Sequence, residues 1–340
     1  MNDKNLKVCC IGAGYFSQFH YNAWARIPGA SLMASVDRDL ESARTTGLSA
    51  YDNIEEMFTN EAPDIIDIIT APESHLETIK ATLAKGVSAI ICQKPFCGGL
   101  EQARIAVELA KQANIPLIVH ENFRFQPWYR IIKTRIDSGA IGEVLQASFR
   151  LRTGDGQGPD AYLDRQPYFQ KMPRFLIHET AVHWVDTFRY LMGNPDFVYA
   201  DLRRHNEAIS GEDAGYLILG YDNGQRAMFD GNRLLDHAAE NHRITLGECL
   251  VEGTTGTLEL DGFGNVTERK FGEIEKRVIL PAQSYEGFAG DCVHALQSHV
   301  ISGLLNGTGF ENEAADYLKV QEIEEALYQS NETGSRVRLG

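Results

Sequence analysis

The run Leu6-Lys7-Val8-Cys9-Cys10-Ile11 ends directly on Gly12-Ala13-Gly14-Tyr15-Phe16-Ser17, and this junction constrains the fold more than any other feature of the chain. A short apolar run followed by G-x-G-x-x-S reads as a buried strand turning tightly into a helix. Further short apolar runs follow at 32–36, 65–70, 89–92 and 117–120, separated by stretches of helical periodicity. In one of these, 100–113, Ile105, Leu109 and Ala113 recur at the spacing of a helix face laid on a sheet. Strands alternating with crossover helices in units of about 30 residues make a doubly wound parallel sheet. After Gln126-Pro127 the pattern changes: 144–151, 216–221, 226–229, 243–252 and 257–260 read as longer alternating strands, suited to an antiparallel sheet. Asp222-Asn223-Gly224 lies between two of them, where Asn-Gly supplies the positive φ angles of a tight hairpin. Helical stretches at 291–305 and 312–328 close the chain. The fold class expected is therefore α/β. A doubly wound parallel sheet occupies residues 1–125, and a domain of helices and mostly antiparallel strands occupies 126–340.

Charge and composition remove several classes of function. With 32 Lys and Arg against 47 Asp and Glu, the formal charge of −15 repels phosphate backbones and anionic lipid, so neither nucleic acid nor a membrane surface is an expected partner. No apolar stretch approaches the ~18 residues of a membrane span. The chain begins without the apolar core and cleavage site of a secretory leader, which gives the expectation of a cytoplasmic protein. The six cysteines are too scattered for a disulfide scaffold or a paired zinc motif and read as reduced core thiols.

The glycine turn has a chemical reading once its neighbours are counted. Gly12 and Gly14 allow a dinucleotide's pyrophosphate to approach backbone N–H groups at a helix N-terminus, and Asp37, ending the next strand, can accept both ribose hydroxyls. Asp37 repels a 2′-phosphate and favours NAD, whereas Arg38 beside it offers a way to neutralise one and leaves NADP as the alternative. Gln93-Lys94-Pro95 follows the fourth strand at the edge where open α/β sheets place ligands, so Lys94 can donate to a substrate hydroxyl or alkoxide. In His178-Glu179-Thr180-Ala181-Val182-His183-Trp184-Val185-Asp186, the two histidines are five apart, about 140° round an α-helix, which argues against a zinc pair. Glu179 and His183 are four apart and share a helix face, a pairing that suits a general base and its orienting carboxylate. Asp186 reads as a hydrogen-bond partner within the helix. The stretch 150–174 is locally basic, interleaves Arg152, Tyr162, Arg165 and Tyr168, and follows a glycine-rich segment; it reads as a mobile loop closing on a polyhydroxylated or anionic substrate.

Taken together, these residues resemble the Gfo/Idh/MocA family of NAD(P)-dependent oxidoreductases over most of the chain. Gly12-Ala13-Gly14 through His20, Thr70-Ala71-Pro72 followed by His75, Gln93-Lys94-Pro95, Asn122-Phe123-Arg124-Phe125 and the Glu179/His183/Asp186 helix stand in family order and spacing. The resemblance implies a Rossmann domain followed by an α+β substrate-binding domain whose large, mostly antiparallel open sheet makes a homodimer or homotetramer, and hydride transfer between NAD(P) and a CH–OH carbon of a sugar, cyclitol or related polyol. It implies Lys94 and His183 as catalytic residues with Glu179 beside them. It places Gly12, Gly14, Tyr15, Phe16, Asp37, Arg38, Thr70, Pro72, His75, Gln93, Lys94 and Asn122 around the cofactor. Arg124, Arg152, Tyr162, Arg165, Tyr168 and His178 fall around the substrate, and no metal is implied. Gln93 stands where the family usually has glutamate, Glu179 where it has aspartate and Ala181 where it has glycine. Redox-neutral glycosidases that keep NAD bound and non-catalytic NAD-sensing regulators share the fold and remain alternatives.

Overall fold

A computed structural model describes residues 5–340; the first four, which enter the leader argument, lie outside the described residues. The chain divides into two compact units, Met1–Asn122 with Asp291–Leu318 and Phe123–Gly290 with Lys319–Gly340. The sequence assigns 291–318 to the C-terminal part, yet this segment clusters with the first unit. Its polar contacts explain why: Arg26 forks onto Asp291 (2.8 and 2.6 Å), and the Asn312 amide donates to the Glu121 carbonyl (2.5 Å).

The first unit runs β1 (Leu6–Ile11), α1 (Ser17–Trp24), β2 (Ala30–Val36), α2 (Leu40–Arg44), β3 (Ser49–Tyr51), α3 (Ile54–Glu61), β4 (Ile65–Ile68), α4 (His75–Leu83), β5 (Ala89–Gln93), α5 (Leu100–Ala113) and β6 (Leu117–His120). Its strands form a six-stranded sheet in the order β3-β2-β1-β4-β5-β6, parallel throughout. β1, β4, β5 and β6 are almost wholly buried, as expected where helices cover both faces. The order reverses between β1 and β4, and at such a switch point the carboxyl ends of the strands open a crevice. One helix face differs from the sequence reading. α5 buries Ala103, Ala106 and Ala110, while Ile105 is exposed, because the small side chains admit the closest approach and leave the larger residues outside.

The second unit contains α6 (Pro127–Asp137), β7 (Val144–Leu151), α7 (Val182–Met192), β8 (Phe197–Arg203), β9 (Ala214–Gly220), β10 (Arg226–Asn232), β11 (Gly247–Gly253), β12 (Gly256–Leu260), β13 (Val266–Lys270) and β14 (Arg277–Leu280). α8 (Phe288–Asn306) and α9 (Ala314–Thr333) each carry the chain from one unit to the other, and β15 (Val337–Arg338) ends it. The nine-stranded sheet has the order β14-β13-β12-β11-β7-β10-β9-β8-β15; β7 and β10 pair in parallel and all other neighbours are antiparallel. Its buried face is built on aromatic rings: Trp184 of α7 stacks on Phe149 (centroids 4.1 Å apart) and tilts against Phe229 (5.4 Å). Burial of each such ring is worth roughly 1.5–3 kcal/mol and sets where α7 lies on the sheet.

Two local readings need correction. The hairpin between β9 and β10 forms at Asp222-Asn223-Gly224, but only Gly224 takes a positive φ (89°). The Gly224 N–H bonds to the Tyr221 carbonyl (2.9 Å), and the Tyr221 N–H to the Gln225 carbonyl (3.2 Å). This is a type I turn closed by a left-handed glycine, rather than a two-residue primed turn. The strand expected over 243–252 begins only at Gly247, because Leu246 has φ 62° and breaks the extended run.

Candidate active site

The glycine turn is fixed by close packing. Gly12 has φ 115°, and a Cβ there would lie 2.6 Å from the Ile69 carbonyl oxygen, so no larger residue fits. Gly14 is the opposite case: exposed, with nothing within 4 Å of where a Cβ would stand. From beneath, the Tyr21 hydroxyl donates to the Gly12 carbonyl (3.0 Å) and lies 2.7 Å from Ser35 Oγ. Asp37, at the end of β2, accepts the Ala13 N–H on Oδ2 (2.8 Å) and the Asp39 N–H on Oδ1 (3.0 Å), while Arg38 is exposed. Tyr15 and Phe16 both lean on Phe19.

The next two strand ends are tied to each other. Pro72 opens a short 3₁₀ turn, and the Ser74 hydroxyl donates to Thr70 Oγ1 (2.7 Å). His75 is buried; its Nε2 lies 2.9 Å from the Thr70 carbonyl, and its Nδ1 accepts the Cys97 N–H (3.2 Å). These partners require a neutral ring with its proton on Nε2, and burial pushes the imidazole down to about 4. Between the two anchored segments sits Lys94, half-buried, with a cis bond to Pro95. Gln93 is buried and turns inward, accepting the Lys94 N–H on Oε1 (2.7 Å). Asn122, beyond β6, is buried, and its Nδ2 has no hydrogen-bond partner among the described residues.

These observations fit a dinucleotide. A backbone turn that excludes a Cβ on one side and is open on the other, an acidic strand end bonded to that turn, and a donor left unsatisfied at the same sheet edge together suit pyrophosphate, ribose and nicotinamide amide in that order.

In the second unit the segment before α7 is a π-helical turn, Leu176–Ala181, which changes the side-chain phase assumed in the sequence. The α-helical angles for Glu179, His178 and His183 do not apply across it. His183 is buried in the first turn of α7, its ring stacked on Phe123 (3.8 Å, 6° between planes). Asp186, one turn on, binds Arg124 through two bonds (2.8 and 2.6 Å). His178 Nδ1 lies 2.6 Å from Glu324 Oε1, and Arg152 bonds Asp230 (2.6 Å) and the carbonyls of Leu151 and Asp230. The guanidinium groups of Arg124 and Arg152 are thus held by internal carboxylates.

The loop expected to be mobile is tied down. The Asp155 carboxylate accepts from Thr153 Oγ1 (2.5 Å), Tyr162 Oη (3.2 Å), Arg165 Nη2 (3.1 Å) and Arg233 Nη1 (3.2 Å). Tyr162, Phe169, Phe175, Ala161 and Ile209 pack as a small core of their own. Burial works to raise the Asp155 carboxyl, but Arg233, Thr153 and Arg165 outweigh it and hold it below the usual range. Tyr168 is 54% exposed, and partial burial followed by the Glu179 carboxylate raises its phenol. Arg233, which no sequence signal singles out, also donates to the Thr180 hydroxyl, next to Glu179 on the π turn. Among the described residues no three His, Cys, Asp or Glu side chains converge for a metal, and no helix is long and apolar enough to cross a membrane. Among the described residues all six cysteines are buried and none forms a disulfide.

Comparison with known proteins agrees with this geometry. Residues 6–121 match the family model described as an oxidoreductase family with an NAD-binding Rossmann fold, and residues 129–259 match the Gfo/Idh/MocA C-terminal domain. A D-apiose dehydrogenase of Rhizobium rhizogenes is 31% identical over 100% of this chain and 99% of its own. A second D-apiose dehydrogenase, from Paraburkholderia graminis, is 32% identical over 99% and 90%. The crystal structure of an Agrobacterium radiobacter oxidoreductase in complex with NAD+, L-tartaric acid and magnesium superposes with a TM-score of 0.89 at 29% identity, covering 98% of each chain. The sheet orders, the glycine turn and these matches together establish that the chain belongs to the Gfo/Idh/MocA family of NAD-dependent oxidoreductases.

Proposed function

We propose that this enzyme oxidises a CH–OH carbon of a pentose of the D-apiose type, with NAD as acceptor. The observation that carries the reading is the match, over at least 90% of each chain, to two proteins named for that activity. The tartrate in the solved relative, with its adjacent hydroxyls, is compatible with a polyhydroxylated ligand. NAD, when bound, supplies the hydride acceptor. The protein's own share is acid–base and positional. His183 takes the hydroxyl proton as C–H cleavage begins, its ring plane fixed by the stack on Phe123. Lys94 stabilises the developing alkoxide, and Glu179 orients substrate or histidine. Tyr168, half-exposed beside the Glu179 carboxylate, is the aromatic surface we assign to the sugar.

A panel of D-apiose, other pentoses, inositols, sugar acids and their keto forms, scored by nicotinamide absorbance, tests the reading. D-apiose or a close pentose should give the highest kcat/KM. Lys94→Ala and His183→Ala should each lower kcat by about 10²–10⁴ while NADH affinity stays nearly constant. Turnover unaffected by either substitution, or consumption of a glycoside without net cofactor reduction, overturns it.

A further inference from the structure

Behind Lys94 lies a buried polar chain that the proposed mechanism leaves without a role. Gln93, His20 and Asp67 come from β5, α1 and β4, and His20 and Asp67 are completely inaccessible. The Lys94 backbone N–H donates to Gln93 Oε1 (2.7 Å), Gln93 Nε2 lies 3.0 Å from His20 Nε2, and His20 Nδ1 lies 2.8 Å from Asp67 Oδ2. Trp24 Nε1 (2.7 Å) and Gln297 Nε2 (3.2 Å) donate to that same oxygen.

The direction of every proton in this chain follows from its ends. A backbone N–H can only donate, so the oxygen of the Gln93 amide must face Lys94 and its NH₂ must face His20. An amide NH₂ can only donate as well, so His20 Nε2 must carry a lone pair. The imidazole proton then sits on Nδ1 and points to Asp67, whose Oδ2 already accepts the indole N–H. A glutamate at 93 would reverse this: its second oxygen would face Nε2 and require a proton there.

We propose that Asp67, His20 and Gln93 form a positioning relay that fixes the backbone of Lys94, and that glutamine at 93 keeps a lone pair on His20 Nε2. The role of the relay rests on the assignment of Lys94 as a catalytic residue. On the other side of Lys94 the Cys97 N–H is held by His75, so the lysine is carried on a segment clamped at both ends. Such clamping narrows the positions the ammonium samples, and a displacement of about 1 Å is enough to cost about 10²-fold in rate.

Among the described residues four groups face His20. They are Asp67, the His120 ring with its centroid 4.0 Å away, the edge of Phe16, and the Gln93 amide. Around Asp67 the Cys10 and Cys92 thiols are raised by burial and then by neighbouring charge, so they add no anion.

Nitrogen-15 NMR of histidine-labelled protein, with His20→Phe identifying the resonance, reads the tautomer directly. His20 should carry its proton on Nδ1 and a lone pair on Nε2, and Gln93→Glu should place a proton on Nε2. Amide exchange at Lys94 should rise at least tenfold in His20→Phe, with the neighbouring strand amides unchanged. Neither readout needs a substrate, so both stand even where the sugar panel fails. With a substrate in hand, His20→Phe should lower kcat at least tenfold and shift the NADH dissociation constant less than threefold. A proton on Nε2 in the parent, no proton on Nε2 in Gln93→Glu, unchanged Lys94 exchange, or an unchanged kcat in His20→Phe overturns the proposal.

Discussion

A single imidazole illustrates how one residue links two stretches of sequence that no local pattern connects. His75 bonds the Thr70 carbonyl with one ring nitrogen and the Cys97 N–H with the other, so both nitrogens are used only while the ring is neutral. Burial lowers its pKa to about 4, below the ordinary histidine value near 6.5. The unfolded chain therefore binds this proton more readily than the folded one between those limits, and stability must rise with pH across them. The contribution is complete above about pH 6.5 and lost progressively toward pH 4, by about 3 kcal/mol. Denaturant titrations at pH 4.5 and 7.5 should show this difference, and His75→Gln, which keeps one amide donor and acceptor, should shrink it; an equal pH dependence in both proteins counts against the assignment. Asp37 carries a second expectation at this scale. Its carboxylate both bonds the Ala13 N–H and presents negative charge at the ribose end, so Asp37→Ser should weaken NAD(H) binding and move the preference toward the 2′-phosphorylated cofactor. Calorimetry with both cofactors measures the ratio, and a ratio unchanged by the substitution would show that Arg38 is not positioned to use the gap.

Between elements, the buried Arg233 joins the end of β10, the 153–170 loop and the π turn below α7. It pairs with Asp155, donates to Thr180 and lies over the Phe175 ring at 4.6 Å. Removing the partner of a buried charge costs more than the pair contributes, so Asp155→Asn should destabilise the protein by about 3 kcal/mol, held to the low end because Asp155 remains about a quarter exposed. Its depressed carboxyl puts this stabilisation above the ordinary aspartate range, to be lost as pH falls through the folded value. If Asp155→Asn and Arg233→Met unfold at the parent's denaturant midpoint, the clasp is not structural. The clasp also shows where sequence is mute. β1, β6 and β7 start and end where apolar periodicity says, because each presents a regular buried face. β13 escapes notice because its inward residue Glu268 is charged and is neutralised by Arg135 (2.6 Å) and Arg277 (2.9 Å), partners distant in sequence or on the next strand. β3, three residues at a sheet edge, is too short to have a period. The glycine turn and Lys94 are legible because backbone geometry demands particular residues there; the Arg233 clasp, the π turn and the direction of the Gln93 amide depend on tertiary partners, and nothing local encodes them.

At the scale of the whole molecule, the open face of the nine-stranded sheet asks for a partner. Strand register places Tyr199, Ile218, Met228, Ser148 and Leu250 in one row across five strands. Rows carrying Asp201, Asp230, Arg150 and Glu248 on one side and Arg226, Gln146 and Glu252 on the other flank it. Met228 is 40% exposed and Tyr216, in the flanking row, 53%, although both stand mid-sheet where an uncovered face would favour polar residues. An apolar centre with a charged rim is the composition of a protein interface. Nine strands spaced about 4.8 Å apart and about 20 Å long offer about 850 Å², close to the ~800 Å² per partner of a stable complex. A second copy of this chain is the occupant we propose, since one face can meet itself about a two-fold axis with no other component. Sedimentation at micromolar concentration should give a dimer or tetramer. Met228→Glu should shift it toward monomer, because two carboxylates would be buried near the axis without partners, while nicotinamide binding at the glycine turn of the other sheet stays intact. A parent that sediments as a monomer, or an assembly indifferent to Met228→Glu, would require the row from Tyr199 to Leu250 to be a solvated face.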